Sequence, residues 1–136
     1  MGDETPRAGA RARLTGAEPQ LFVADIAASC DFFTRKLGFA VAFLYGTPPF
    51  YGQVVRDAAR LNLRHVDEPV FPGDIRTRED LLSAAITVDD VKQLYREYQA
   101  SGAPFHQALR KEEWGAWTFV VKDPDGNLVL FAGAEA

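Results

Sequence analysis

Leu21-Phe22-Val23 is a short apolar, β-prone run that stops at Ala24-Asp25. Beyond it Ile26, Cys30, Phe33 and Leu37 recur at i, i+4, i+7 and i+11, the spacing that draws one apolar stripe along a helix. Asp25 stands where an N-cap is wanted, since its carboxylate can accept from the free amides of the first turn. Gly38 follows the last periodic position, where a left-handed residue ends a helix without a Cβ clash. Three strands are predicted next. Ala40 to Tyr45 is bulky and apolar and closes on the turn cluster Gly46-Thr47-Pro48-Pro49. Tyr51 to Arg56 and Arg60 to His65 flank Asp57-Ala58-Ala59, and in the second of them Leu61, Leu63 and His65 alternate with polar residues. That alternation marks a sheet with one wet face.

The second half repeats this grammar. Ala84, Ile86 and Val88 alternate as a strand running into Asp89-Asp90, whose place before a helix assigns it to capping. Val91, Leu94, Tyr95 and Tyr98 then follow helical spacing, and Gly102 stops the helix as Gly38 stops the first. Phe105 to Leu109, Trp117 to Lys122 and Leu128 to Ala132 are three more strands, the last two joined by the turn Asp123-Pro124-Asp125-Gly126-Asn127. Between the halves, Asp67 to Asp80 carries two prolines, a glycine and many charges. The chain therefore divides into a leader over 1–17, a first β-α-β-β-β unit over 18–72, a linker over 73–80 and a second unit over 81–134. The fold class is α+β, with two copies of one β-α-β-β-β unit.

Composition narrows the function. The 136 residues hold 15 basic and 19 acidic side chains, a net charge of −4. No basic stripe is left to neutralise phosphates, so nucleic acid is an unsuitable main partner. The single cysteine, Cys30, excludes an internal disulfide framework and a multi-thiolate zinc site, and on the apolar helix face it reads as an inert small hydrophobe. The longest apolar run, Phe39 to Tyr45, falls far short of the ~20 residues of a membrane span. Met1 to Gly16 is rich in Gly, Ala, Arg and Pro without an apolar h-region, which reads as a disordered leader rather than a secretory signal. The cytoplasm is the expected compartment.

Phe22-Val23-Ala24-Asp25-Ile26, Asp31-Phe32-Phe33, Leu37-Gly38-Phe39, Val88-Asp89-Asp90-Val91, Leu94-Tyr95, Gly102 and Asp123-Pro124-Asp125-Gly126-Asn127-Leu128 together resemble the vicinal oxygen chelate superfamily. That group contains glyoxalase I, extradiol dioxygenases and bleomycin-resistance proteins. The resemblance implies that metal-using members bring ligands from the first strand of each half and from the last strand. Those positions align here with Glu18, Ser83 and Leu130, and no carboxylate stands between Arg60 and Arg64. A catalytic divalent metal wants about three protein ligands and an open position, and this set offers Glu18 alone. The stretch Glu113-Trp114-Gly115-Ala116-Trp117-Thr118-Phe119 is similar to the closing region of bleomycin-resistance proteins. The resemblance implies that the two repeats form an open, cupped mixed sheet, and the similarity to bleomycin-resistance proteins implies drug sequestration in the groove of a homodimer, with no cofactor and no catalytic residue.

Several side chains are candidates for ligand contact. Trp114 stands beside Gly115 in a charged stretch, where a flat ring suits stacking on a ligand. Tyr45, Phe50 and Tyr51 bracket a turn and could form an aromatic lip. Trp117 opens a strand and reads as core or as a ligand contact. His65 and His106, one near a strand end in each half, are polar-face residues or share an acid–base or metal role. Glu112, Glu113 and Glu68 are candidate counter-charges for a cationic ligand, which the net charge would favour. The expectation is a protein that sequesters a small organic, antibiotic-like molecule. Two alternatives stay open. One is a metal-dependent lyase, isomerase or dioxygenase using Glu18 with His65 or His106 and Zn²⁺, Ni²⁺, Mn²⁺ or Fe²⁺; the other is an interaction module without a ligand.

Overall fold

The computed structural model describes residues 11–134. The first ten residues of the predicted leader lie outside them, and residues 11–19 carry no regular structure. The elements follow as β1 (Gln20–Val23), α1 (Ile26–Leu37), β2 (Ala40–Tyr45), β3 (Tyr51–Arg56), β4 (Ala59–His65), α2 (Ile75–Arg78), β5 (Leu82–Thr87), α3 (Val91–Ser101), β6 (Phe105–Lys111), β7 (Trp117–Lys122) and β8 (Leu128–Gly133). They build two four-stranded mixed sheets, ordered β1-β4-β3-β2 and β5-β8-β7-β6. In each, the first strand pairs in parallel with the last and the remaining pairs are antiparallel. The expected pair of β-α-β-β-β units is what forms.

Both long helices begin and end where the sequence predicts. The Asp25 carboxylate accepts from the Ala28 amide at 3.1 Å, and that of Asp90 from Gln93 at 3.0 Å. Gly38 (φ 74°) and Gly102 (φ 76°) close the helices in the left-handed region, where a Cβ would be strained. Asp89 accepts from the Asp90 amide at 2.7 Å, so the aspartate pair is a capping device. The α1 stripe of Ile26, Cys30, Phe33 and Leu37 is buried against Leu21, Val23, Val54, Leu61 and Leu63. Cys30 is buried there and burial pushes its thiol up, which keeps it protonated and unreactive. On the other side Leu94 and Tyr98 of α3 meet Phe119 and Phe131, which stack at 5.1 Å.

One core joins the two halves. The Tyr98 hydroxyl donates to the Leu37 carbonyl at 2.8 Å, and Ser101 Oγ to the Lys36 carbonyl at 2.6 Å. Arg56 clasps Glu97 through both terminal nitrogens, at 2.6 and 3.0 Å. At the opposite end the loop between β7 and β8 reaches the first half. Asn127 Nδ2 donates to the Phe22 carbonyl at 3.1 Å, and Asp125 Oδ1 accepts from the Ala24 amide at 2.9 Å.

The linker differs from expectation. Residues 73–80 contain the helical turn α2 because Arg76 is drawn inward: its guanidinium donates to Asn127 Oδ1 at 3.0 Å and lies 4.9 Å from the Phe71 ring. Strand β5 also starts earlier than the alternation of Ala84, Ile86 and Val88 indicates, and Val88 falls just past its end. A register shift between Leu82 and Ala84 lets the extra residues pair with β8.

Candidate functional site

Each sheet is covered by a helix on one face only. The pleat sends alternate residues to opposite faces, so the residues between the core positions define the open face. Register places three rows on it in the first sheet. Gln20, Asn62, Gln53 and Phe43 form one row across β1, β4, β3 and β2, and Phe22, Arg64, Tyr51 and Tyr45 form the next. Arg60 and Val55 begin a third.

This wall is polar and internally wired. Gln53 Nε2 donates to Asn62 Oδ1 at 2.9 Å and to Glu18 Oε1 at 3.2 Å, and Asn62 Nδ2 donates to the same Glu18 oxygen at 3.1 Å. Arg60 Nη1 reaches Gln53 Oε1 at 3.4 Å. Gln53 and Asn62 are thereby buried with partners, which corrects the simple wet-face reading of β4. The Tyr51 hydroxyl accepts from Gln20 Nε2 at 3.1 Å, fixing its ring, and the Phe43 ring lies 6.0 Å from it. At the outer edge every residue of β2 is exposed, Val41, Phe43, Leu44 and Tyr45 among them.

The second sheet presents a different open face. Ala85, Leu130, Val120 and Gln107 form one row, and Thr87, Ala132 and Thr118 lie beside it. Gln107 Nε2 donates to Thr118 Oγ1 at 3.0 Å, and that hydroxyl donates to Glu112 Oε2 at 2.8 Å. Arg110, opposite Thr118, and Lys122, opposite Leu128, bring charge to its margins, and its centre is aliphatic.

The predicted ligand contacts divide between faces. Tyr45 (67% exposed) and Tyr51 stand on the first open face, and Phe50 packs edge-on against Tyr45 at 5.7 Å, so these three form one aromatic group. Trp114 is 75% exposed in the β6–β7 turn, with Glu113 beside it, also exposed. No ring contact joins Trp114 to the first-sheet aromatics among the described residues; β2 and the β6–β7 turn lie at the outer edges of separate sheets. Trp117 shares the face of Phe119 and packs against the core, with the Lys92 ammonium 4.2 Å from its ring. His65 shares the face of Leu61 and Leu63. Its Nδ1 lies 2.8 Å from the Ala24 carbonyl and its Nε2 2.9 Å from Asp67, contacts that raise its pKa. His106 is 2.6 Å from Asp80. The two histidines are thus occupied separately, each with its own aspartate. Of the three counter-charge candidates, Glu112 is bound within the second sheet, to Thr118 and Arg110, while Glu113 and Glu68 are exposed.

The positions aligned with metal ligands do not form a donor set. The Glu18 carboxylate is held by two amides, the Ser83 hydroxyl donates to Asn127 Oδ1 at 3.0 Å, and Leu130 offers only carbon. No three His, Cys, Asp or Glu side chains cluster for a metal among the described residues. These residues do not suit a divalent ion.

Two hollows accompany the walls. One of about 380 Å³ opens on the first face beside Glu18, Gln20 and Asn62. A larger one, about 620 Å³, lies at the seam between the halves, with Leu94, Tyr98 and Phe131 in its floor and the Arg56–Glu97 pair at its rim. The seam hollow is floored by core residues that already have partners and reaches Arg60, Ala85 and Thr87 of the open faces, so those faces are the better candidate for recognition. Sequence reasoning passed over Phe22, Gln53, Arg60, Asn62 and Arg64 on that face. The alternation that assigned Leu61 and Leu63 to the core assigns Arg60, Asn62 and Arg64 to the opposite side, so the signal was present in the same strand.

Residues 14–131 match the family model described as the Glyoxalase/Bleomycin resistance protein/Dioxygenase superfamily. The chain is 28% identical over 124 residues to a bleomycin resistance protein of Geobacillus stearothermophilus, covering 83% of this chain and 92% of the relative. Among solved structures it is similar to the bleomycin-binding protein of Streptomyces verticillus in complex with copper(II)-bleomycin, with a TM-score of 0.71, 22% identity and coverage of 92% and 100% of the two chains. The bleomycin resistance determinant encoded on transposon Tn5 superposes with a TM-score of 0.72 at 20% identity, over 90% and 100% of the chains. Among the described residues no helix is long and apolar enough to cross a membrane.

Proposed function

The chain belongs to the glyoxalase/bleomycin resistance protein/dioxygenase superfamily, and from that premise we propose that it sequesters a small organic ligand between the open sheet faces of two copies, without metal chemistry. The observation that carries the reading is the unpartnered first-sheet face: a fixed tyrosine, exposed aromatics along β2 and a wired polar floor. A large apolar strand exposed on all six residues is a liability unless a ligand or partner covers it. Helices cover the opposite faces, so a second copy is the simplest way to close the groove, with the first-sheet wall of one protomer facing the second-sheet wall of its partner. The relatives named for bleomycin resistance and the structure solved with copper(II)-bleomycin support binding of an organic molecule in this fold. The donor set at Glu18, Ser83 and Leu130 supports binding without a metal.

The test combines light scattering with calorimetric titration of the full chain against bleomycin and a panel of planar aromatic compounds. The expected result is a dimer in solution that binds at least one member of the set at about one ligand per groove, after chelator treatment as before it. A monomer that binds nothing, or binding that chelator abolishes and Zn²⁺ or Fe²⁺ restores, overturns the reading.

A further inference from the structure

Arg64 stands in a row with Phe22 on one side and Tyr51 then Tyr45 on the other. Its guanidinium is exposed, and among the described residues it makes no hydrogen bond or ion pair. Arg60 projects from the same face two pleats away, about 13 Å along the strand, and among the described residues it is held only by a long contact to Gln53. Among the described residues the one carboxylate hydrogen-bonded to this wall is Glu18, spent on the Gln53 and Asn62 amides. So a protein with net charge −4 places two arginines and one amide-bound carboxylate on the face with its aromatic strip, a positive balance there.

Unpaired guanidiniums in a fixed setting take carboxylates and phosphates through paired N–H donors, and a flanking ring supplies stacking in the same plane. Tyr51 is set for this, because its hydroxyl is tied to Gln20 and its ring cannot swing away without breaking that bond. We propose that the ligand of the first wall is a planar aromatic compound bearing an acidic group, with its ring on Tyr51 and Tyr45 and its anion at Arg64. Arg60 supplies a second positive charge that attracts the anion without having to touch it. This inference rests on the ligand-binding reading above and reverses the ligand charge that the overall composition favours.

The test titrates the full chain by calorimetry with three probes of one shape: naphthalene-2-carboxylate, naphthalene-2-carboxamide and 2-naphthylmethylammonium. The carboxylate is expected to bind about tenfold or more tightly than either of the others, with an advantage that shrinks as salt rises. Arg64→Gln should remove about tenfold of the carboxylate affinity and leave the carboxamide unchanged, whereas Arg60→Gln should cost the carboxylate less. Arg64 is exposed, so the variant is expected to fold, and an unchanged circular dichroism spectrum checks that. Equal affinities for the three probes, preference for the ammonium, or a carboxylate indifferent to Arg64→Gln overturns the proposal. If bleomycin or the ammonium probe binds while the carboxylate does not, this inference fails and the ligand-binding reading stands. If nothing binds, both fail.

Discussion

The two halves share one plan and differ in what they leave uncovered. Toward the helices they are near-copies: Phe33 meets Leu61, Leu63 and Val54 in one, and Tyr98 meets Phe119 and Phe131 in the other. On the faces turned from the helices the first half sets Arg60, Arg64 and Tyr51 around the buried amides of Gln53 and Asn62, while the second sets Leu130, Ala85 and Ala132 around the buried Val120. Burial disciplines the helix-facing positions, because a lost methylene there leaves a cavity, whereas a change at an exposed position of the other face, such as Arg60, Arg64 or Ala85, leaves the core intact. A duplicated unit can therefore keep its fold and let one face acquire a ligand's chemistry.

The largest effects should come from the side on which the halves agree. Phe33→Ala and Phe119→Ala each empty a site with no exposure. Each is expected to cost about 3–5 kcal/mol, read as a shift of the urea midpoint. Equal losses would show that the shared core makes the halves one cooperative unit. A biphasic transition in which only one half melts would break the comparison, because the Tyr98–Leu37 and Asn127–Phe22 bonds would then not be coupling them.

The hairpin turns sharpen the contrast. Between β3 and β4 the turn is short and Asp57 is exposed, whereas between β7 and β8 Asp123 is 4% exposed and takes the amides of Asp125 and Asn127 at 2.9 and 2.7 Å. Burial pushes the Asp123 carboxyl up to about 6 against hydrogen bonds that pull it down. The folded chain therefore holds a proton between pH 4 and 6 that the unfolded chain has released. The stability from this group is fully present below about pH 3.8 and lost as pH rises through about 6, some 3 kcal/mol at most. His65, whose pKa is also raised, acts in the same direction above its ordinary value of 6.5. The lowered Glu97 carboxyl works the other way, adding stability that is fully present above its ordinary value of 4.5 and lost as the pH falls below it. Urea titrations at pH 5 and pH 7.5 should show the protein more stable at pH 5, and Asp123→Asn should flatten that difference. A steeper slope in the variant would contradict it.

Much of this architecture was legible in the residues. Asp25, Asp90, Gly38 and Gly102 punctuate both helices because caps and left-handed stops are local chemistry, readable without neighbours. The α2 turn was not legible, since it depends on Arg76 finding Asn127 across 51 positions of chain. Asn62 looked solvent-facing, and only the approach of Gln53 and Glu18 from two other segments gives it a buried place. His65 looked like a site residue because its chemistry is versatile, yet register turns it to the helix side, where a backbone carbonyl and Asp67 engage it. Side-chain type names the possible chemistry, and register decides which wall receives it.

The smallest effect on stability is expected where the two halves face the ligand, and there the comparison is most informative. Tyr45 and Trp114 are exposed edge residues of different halves, so Tyr45→Ser and Trp114→Ser should each move stability by less than about 0.5 kcal/mol. Their effects on binding separate two geometries. In a groove closed by two copies, the first-half wall of one protomer and the second-half turn of its partner both contact the ligand. Each substitution then weakens an aromatic ligand by several-fold, near the ~0.5–1.5 kcal/mol of an aromatic pair. If each chain instead binds on its first wall alone, Tyr45→Ser weakens binding and Trp114→Ser leaves the calorimetric titration unchanged. Mixing the two variants discriminates further, because in a heterodimer carrying one of each, one groove loses both rings and the other keeps both. A wild-type-like site beside one weaker than the sites of the Tyr45→Ser homodimer would establish that the ligand lies between the unlike walls of two chains, because binding on one wall alone leaves the weakened site equal to that of Tyr45→Ser.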